Sequence, residues 1–320
     1  MKHFYKIYRI YRTQGWKALK IRLRQRWSQH AAWLDTPWMK WSHILPGSPN
    51  RINMRVFAPR RSGHHAIINW IHYHLPGRNC LLNECTLGEN PLASCSRGNS
   101  RVYSWAGEHR FFDWQKELAG HHAKKGTLIH NYEDCDFRNL LEQVSPEQED
   151  VWIGASQTRL DVLILRDPFN LFASKLRWAY GQNLAPDLLH FPELRELWKV
   201  YAHEFLGETH YLPNRVSISY NDWFLSREYR DRLGRQLGFI NRDLGIDEVA
   251  KWGPTIWGDS FDGLQYDGQA QRMKVMERWR EYQHDEFFCA LFQDEELWDL
   301  SRLLFGEIKG TTTLRAQSSG

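Results

Sequence analysis

Apolar positions along the chain fall into short runs of strand length separated by longer stretches with helical spacing. Val56 and Phe57 form a β-prone run that Pro59 ends. Beyond Gly63, the positions Ala66, Ile67, Trp70, Ile71 and His74 recur every three or four residues and predict a helix. Gly126 to Asp134 predicts a second strand with polar residues at its carboxyl end. Arg159 to Arg166 predicts a third, and its unbroken apolar centre, Val162-Leu163-Ile164-Leu165, suits a parallel strand covered on both faces. Asp167-Pro168 then supplies a helix cap and a proline at the first helical position. The helix runs through Phe169, Leu171, Phe172, Ser174, Leu176 and Trp178. A helical region from Pro192 to Gly207 leads to a fourth strand, Arg215 to Tyr220. Arg227 to Asp247 reads as charged helix, and an amphipathic helix ends near Phe305. Two stretches lack a period. Arg78 to Gly107, rich in Gly, Asn, Ser and Cys, predicts a long loop-rich insertion, and the tail over 310–320 predicts disorder. Strands alternating with helices over 51–309 predict one α/β domain with a central parallel sheet flanked by helices.

The first fifty residues have a different character. They are basic and aromatic, with Asp35 the only acid, and Pro46-Gly47-Ser48-Pro49 separates them from the rest. Trp16, Leu19, Leu23 and Trp27 make an apolar stripe beside Lys17, Lys20 and Arg24. That pattern predicts a basic amphipathic helix. It either touches a membrane surface, through residues 1–30, or packs its stripe on the main domain.

Charge and composition narrow the function classes. A net charge of +4 over 320 residues is too mild to indicate a dedicated nucleic-acid binder. The five cysteines are odd in number and irregularly spaced. They suit free thiols in a reducing, cytoplasmic compartment better than a disulfide frame. No apolar run is long enough to cross a membrane, and the first residues have no signal-peptide core.

The candidate chemistry gathers at the predicted strand ends. Pro59-Arg60-Arg61-Ser62-Gly63-His64-His65 joins a strand to a helix. Unpaired N–H groups at the helix start, the helix dipole and two arginines together favour a phosphate or sulfate there. The loop is not a Walker A sequence. His130, Glu133 and Asp134 at the end of the second strand are candidates for acid–base work, or Glu133 and Asp134 cap the following helix. Arg166 ends the third strand, and Ser174 lies two turns into the helix behind it. The histidines and cysteines between His64 and Cys85 show no C-x-x-C or H-E-x-x-H spacing, so no metal is expected.

From about Met54 to Leu303 the chain resembles the sulfotransferases that use 3′-phosphoadenosine 5′-phosphosulfate (PAPS). Pro59 to His65 is similar to that family's 5′-phosphosulfate loop, P-K-S-G-T-T, with Arg61 in the place of its Lys and His64-His65 in the place of its two Thr. Leu165-Arg166-Asp167-Pro168 with Ser174 is similar to its 3′-phosphate motif. Tyr220-Asn221-Asp222-Trp223 resembles its Y-E-D-L, whose Tyr lies near the adenine, and Asp259-Ser260-Phe261 resembles its T-S-F, whose Phe stacks on the adenine. Arg272-Met273-Lys274 stands where cytosolic members carry R-K-G, and Trp279 matches a Trp after that loop.

The resemblance implies one α/β domain of the P-loop nucleotide-binding kind, and PAPS as co-substrate with no metal. It implies PAPS contacts at Arg60, Arg61, Ser62, Gly63, His64, His65, Arg166, Ser174, Tyr220, Phe261, Arg272 and Lys274. By position, Glu133 falls near the family's base and His130 near the Lys just before it, so Glu133 or His130 takes the proton, and Arg61 falls near the group that steadies the leaving phosphate. The implied reaction moves a sulfuryl group from PAPS to a hydroxyl or amine of a small-molecule, glycan or lipid acceptor, with carbohydrate or lipid favoured. A P-loop kinase or nucleotide hydrolase, and a non-catalytic membrane- or glycan-binding protein on the same fold, are the alternatives.

Overall fold

A computed structural model describes residues 48–97, 103–104, 112–185, 190–249, 261 and 263–316. The N-terminal helix expected before Pro46, and Asp259 and Ser260, lie outside the described residues. Six strands form one sheet: β1 (Asn50–Ala58), β2 (Asn79–Leu82), β3 (Tyr103–Ser104), β4 (Lys125–Glu133), β5 (Ser156–Leu165) and β6 (Arg215–Ser219), in the order β3-β2-β4-β1-β5-β6. Five are mutually parallel, and β3 pairs antiparallel with β2 at one edge. The α/β architecture expected from the alternating pattern is therefore present.

The helices that position the site are α1 (His64–His74), α2 (Pro146–Ile153), α3 (Pro168–Gly181), α4 (Phe191–Leu206), α5 (Arg227–Gln236) and α6 (Glu295–Phe305). The sheet has an apolar layer on each face, as strand alternation requires. Met54, Val56, Ala58, Val162 and Ile164 join Ile67, Ile68, Trp70 and Ile71 of α1 on one side. Phe57, Leu163 and Leu165 join Leu171, Phe172 and Leu176 of α3 on the other, with Trp198 and Tyr201 of α4. Central β1 pairs with β4 on one side and β5 on the other, in registers that bring Ala58 level with Glu133 and Phe57 level with Leu163. The carboxyl ends of β4, β1 and β5 thus lie side by side, the place where open α/β sheets take ligands.

Four expectations need correction. The stretch read as a loop-rich insertion contains β2 and a short helix, Pro91–Arg97. Every residue of β2 is buried, so it is an interior strand too short to show a period. Tyr220 does not end a strand; it opens a short helix, Tyr220–Leu225, which the Ser219 side chain caps by accepting from the Asp222 N–H. The charged region after Arg227 is helical only to Gln236, and Gly238 turns the chain with φ 82°. The segment after Gly310 was expected to be disordered. Its described part, residues 311–316, contains a helical turn, Thr313–Ala316, with Thr311 and Leu314 buried.

Candidate functional site

The loop after β1 is shaped by two residues with positive φ, Arg61 (72°) and Gly63 (81°). A left-handed non-glycine residue carries strain of roughly 1–3 kcal/mol, and here the loop's own hydrogen bond from the Ser62 N–H to the Pro59 carbonyl fixes the turn. Gly63 is required for a second reason: a Cβ there would sit 2.1 Å from Cε2 of Tyr220. Gly63 is the residue before α1. It provides no side-chain cap, and the first turn has no acid. The start of α1 therefore turns its positive dipole end, with no acidic side chain in its first turn, toward an anion.

Next to this loop, two buried guanidinium groups converge on one hydroxyl. Arg166 Nη1 lies 3.4 Å from Ser174 Oγ, and Arg278 Nη1 lies 3.0 Å from the same atom. Arg166 also donates to the Arg61 carbonyl at 3.3 Å and to the Val275 carbonyl, and its guanidinium lies 4.9 Å from the centre of the Tyr220 ring. Only 1% of Arg166 and 7% of Arg278 is exposed. Arg166 makes no ion pair with a carboxylate among the described residues, and its Nε is buried without a hydrogen-bond partner. Burial pushes the Arg278 guanidinium down to about 9, and the charges of Arg166 and Arg61 push the same way. Burying a cation without an ion-paired carboxylate is costly, and Arg166, beside the second buried guanidinium of Arg278, is such a cation among the described residues, so this pocket suits an anion. Phe261 closes one side, with its ring centre 5.0 Å from the Arg278 guanidinium and 5.6 Å from that of Arg177.

A cavity of about 360 Å³ opens on the other side of the loop, lined by Arg60, Glu84, Cys85, Thr86, Leu87, Glu133 and Cys135. Glu133 anchors its wall. Its Oε2 pairs with Arg60 Nε at 2.8 Å, and its Oε1 lies 3.0 Å from His64 Nε2 and 3.4 Å from His65 Nε2. Burial opposes the charged carboxylate, but His64 and His65 overcome it and hold the group well below the ordinary range. Burial and the neighbouring His65 push the His64 imidazole down, against the pull of Glu133. Behind them, buried Lys175 grips Asp134 at 2.9 and 2.8 Å, and Asp134 accepts the Arg60 N–H at 2.8 Å. Asp134 therefore ties the loop to α3.

The structure brings together Arg60, Arg61, Ser62, Gly63, His64, His65, Glu133, Arg166, Ser174, Tyr220 and Phe261 at these strand ends. Arg61 carries its guanidinium over the Trp178 ring, 5.6 Å from the centre. Three expected residues stand apart. His130 is fully buried on the opposite face of β4, bonded to Asn53 Oδ1 at 2.6 Å and to the Tyr132 hydroxyl at 2.9 Å. The reason is strand alternation: residues 130 and 132 face one way, 131 and 133 the other. Arg272 and Lys274 are exposed, and Arg272 spends its charge on Gln269 and the Tyr266 ring. Their expected place at Ser174 is taken by Arg278, which the 3₁₀ turn Arg278–Tyr282 points inward. The sequence marks Arg278 only as one member of the basic, aromatic triplet Arg278-Trp279-Arg280. Glu84 and Lys175 were likewise not singled out, and spacing alone gives no signal for either.

No known protein family, curated protein or solved structure matches the chain. No helix among the described residues is long and apolar enough to cross a membrane.

Proposed function

We propose that this protein is a sulfotransferase that moves a sulfuryl group from PAPS to a hydroxyl or amine of an acceptor, with a carbohydrate or lipid favoured. The observation that carries this reading is the burial of Arg166 and Arg278 on a single hydroxyl, Ser174, beside the uncapped start of α1. Two anion sites next to each other suit a nucleotide charged at both its 3′ and 5′ ends. The 3′-phosphate settles between the two guanidinium groups and accepts from Ser174. The 5′-phosphosulfate lies on the Ser62–His65 turn, which carries out the P-loop role in this reading. Phe261 and Tyr220 offer rings to the base.

In the reaction the acceptor oxygen or nitrogen attacks sulfur in line, and the bond from sulfur to the bridging oxygen breaks. The electron pair stays on the 5′-phosphate, where the α1 amides and the arginines stabilise it. One such donor is worth on the order of 3 kcal/mol. The acceptor proton passes to a carboxylate of the cavity wall, Glu133 or Glu84. Positioning and charge neutralisation dominate, as in phosphoryl transfer.

Calorimetry on the full chain with adenosine 3′,5′-bisphosphate and with ATP tests the reading, alongside transfer of labelled sulfate from PAPS to pooled glycans, lipids and phenols. Micromolar or tighter binding of the bisphosphate, weaker binding of ATP, and label in one acceptor pool are expected. Preferential ATP binding would instead favour a kinase, because ATP leaves the two buried arginines without a 3′-phosphate. Binding of neither nucleotide favours a non-catalytic role.

A further inference from the structure

The wall carboxylate and the two histidines of the loop form a second constellation with a chemistry of its own. His64 and His65 are adjacent at the start of α1, and Glu133 reaches them from β4, 69 positions along the chain from His64. One ligand atom from each, the imidazole Nε2 of the two histidines and a Glu133 oxygen, lies within 4.8 Å of the others. The two measured separations to Glu133 Oε1 are 3.0 and 3.4 Å. In a tetrahedral zinc site with bonds of about 2.0–2.2 Å, neighbouring ligand atoms are roughly 3.3 Å apart. The two edges to Glu133 thus match that spacing, and the edge between the histidines is no longer than 4.8 Å.

The atoms behind these ligands are arranged to match. Ser62 Oγ lies 3.4 Å from His64 Nδ1, so the far ring nitrogen has a partner and Nε2 is left to point inward. Glu133 divides its oxygens: Oε2 is held by Arg60 at 2.8 Å while Oε1 faces the histidines and also accepts from Asn131 Nδ2 at 3.2 Å. Outer contacts of this kind orient metal ligands and fix the histidine tautomer. His64 and Glu133 are buried at 7% side-chain exposure, whereas His65 is 35% exposed. The open side leaves room for a water or a substrate atom as a further ligand, the pattern of catalytic rather than structural sites.

We propose that His64, His65 and Glu133 form a binding site for one divalent transition metal of the zinc class. Two imidazoles and one carboxylate select zinc, cobalt or a similar borderline ion over magnesium or calcium, which favour sets of oxygen ligands. The site adjoins the cavity and the start of α1, so a bound cation would sit next to the place given to the 5′-phosphosulfate. With the ion in place, Glu133 is a ligand and proton acceptance passes to Glu84. The metal site does not depend on PAPS being the co-substrate.

The test uses the full chain, freed of metal with a chelator. Titration with cobalt chloride should give d–d absorption at one equivalent without a thiolate charge-transfer band. Calorimetry with zinc chloride should show one site, weakened at least tenfold by His65→Ala and by Glu133→Gln, while Cys135→Ser binds as wild type does. No stoichiometric binding, a thiolate band, or unchanged zinc affinity in both His65→Ala and Glu133→Gln would overturn the proposal. Thermal unfolding of each variant confirms that it is folded, and half-exposed His65 is the substitution the fold tolerates best. Binding of adenosine 3′,5′-bisphosphate, measured on the same samples, separates the two ideas. A chain that takes the nucleotide but no metal refutes this inference alone.

Discussion

At the scale of single residues, the site is defined by which cations have lost their water. Arg278 is buried and shares Ser174 with Arg166, whereas Arg272, six positions earlier, is exposed and pairs with Gln269. Charge-assisted hydrogen bonds from a desolvated guanidinium are worth about 1.5–3 kcal/mol, or roughly 10- to 150-fold in affinity. Arg278→Ala and Arg166→Ala should each weaken adenosine 3′,5′-bisphosphate by about that much, and Arg272→Ala should stay within about twofold of wild type. Calorimetry gives all three values. Equal losses for Arg272→Ala and Arg278→Ala would mean that the 3₁₀ turn sits differently when the nucleotide is bound. The contrast also shows what the sequence could reveal at this scale. Arg166 and Ser174 were legible because a strand end and a helical offset of eight residues fix their relation. Arg278 was not, because whether its side chain turns inward depends on how Val275 and Trp279 pack, and both are core residues contributed from outside any periodic element.

At the scale of elements, the connection from β5 to α3 does more than cap a helix. Asp167 accepts from the Asn170 N–H at 2.8 Å and from the Asn221 side chain at 2.9 Å, while Asn170 Oδ1 accepts the Arg278 N–H at 2.8 Å. One capping box of side chains thus joins the end of β5, the helix after β6 and the turn that carries Arg278. Asp167→Ala removes a cap and leaves buried amides unsatisfied, so it should cost about 3 kcal/mol in urea unfolding and weaken bisphosphate binding as well. Asp167→Asn, which keeps an acceptor, should recover most of both. Stability lost with affinity intact would show that the Arg278 turn holds itself. The C-terminal segment allows an independent check. Leu314 is fully buried, and Arg315 stacks 4.5 Å from the Trp298 ring centre on α6. Leu314→Ala should therefore cost about 3 kcal/mol; a change under about 0.5 kcal/mol would return that segment to the disorder its composition suggests. Its polar sequence hid a single anchoring leucine, just as the glycine- and cysteine-rich stretch hid four-residue β2. In both cases burial is set by neighbours far away in sequence. Long β5, flanked by its own cap signal, needed no such help.

At the scale of the whole molecule, the carboxyl ends of the strands and their middles have separate tasks. The strand ends hold the proposed anion sites. On the face that α3 covers, nearer the amino ends of the strands, a buried polar network runs through His130, Asn53, Glu149, Arg55 and Asp161, linking β4, β1, β5 and α2. The place of His130 near a strand end in the sequence suggests a base, yet its full burial suits a different role. Burial, helped by the charge of Arg55, pushes its imidazole down to about 3. In the native state it therefore stays neutral between pH 6.5 and 3, where the unfolded chain takes up a proton. The unfolded state binds more protons, so stability is present above about pH 6.5 and drains away as pH falls. The slope approaches about 1.4 kcal/mol per pH unit for one such histidine. His72, also pushed to about 3 by burial, adds a slope of the same sign. Glu149 works in the other direction: its carboxyl is raised, chiefly by burial, so its native proton uptake offsets the loss in more acidic solution. The histidine slope is therefore read from pH 6.5 downwards, and Glu149 opposes it. Across that range, His130→Gln should lower stability overall through imperfect hydrogen bonding but flatten the pH dependence by about one proton, leaving the contributions of His72 and His64. Urea unfolding of wild type and variant at half-unit pH steps measures the difference in slope. Parallel curves would mean that His130 takes up its proton inside the folded protein, and the network would then have to be redrawn around a charged imidazole facing Glu149.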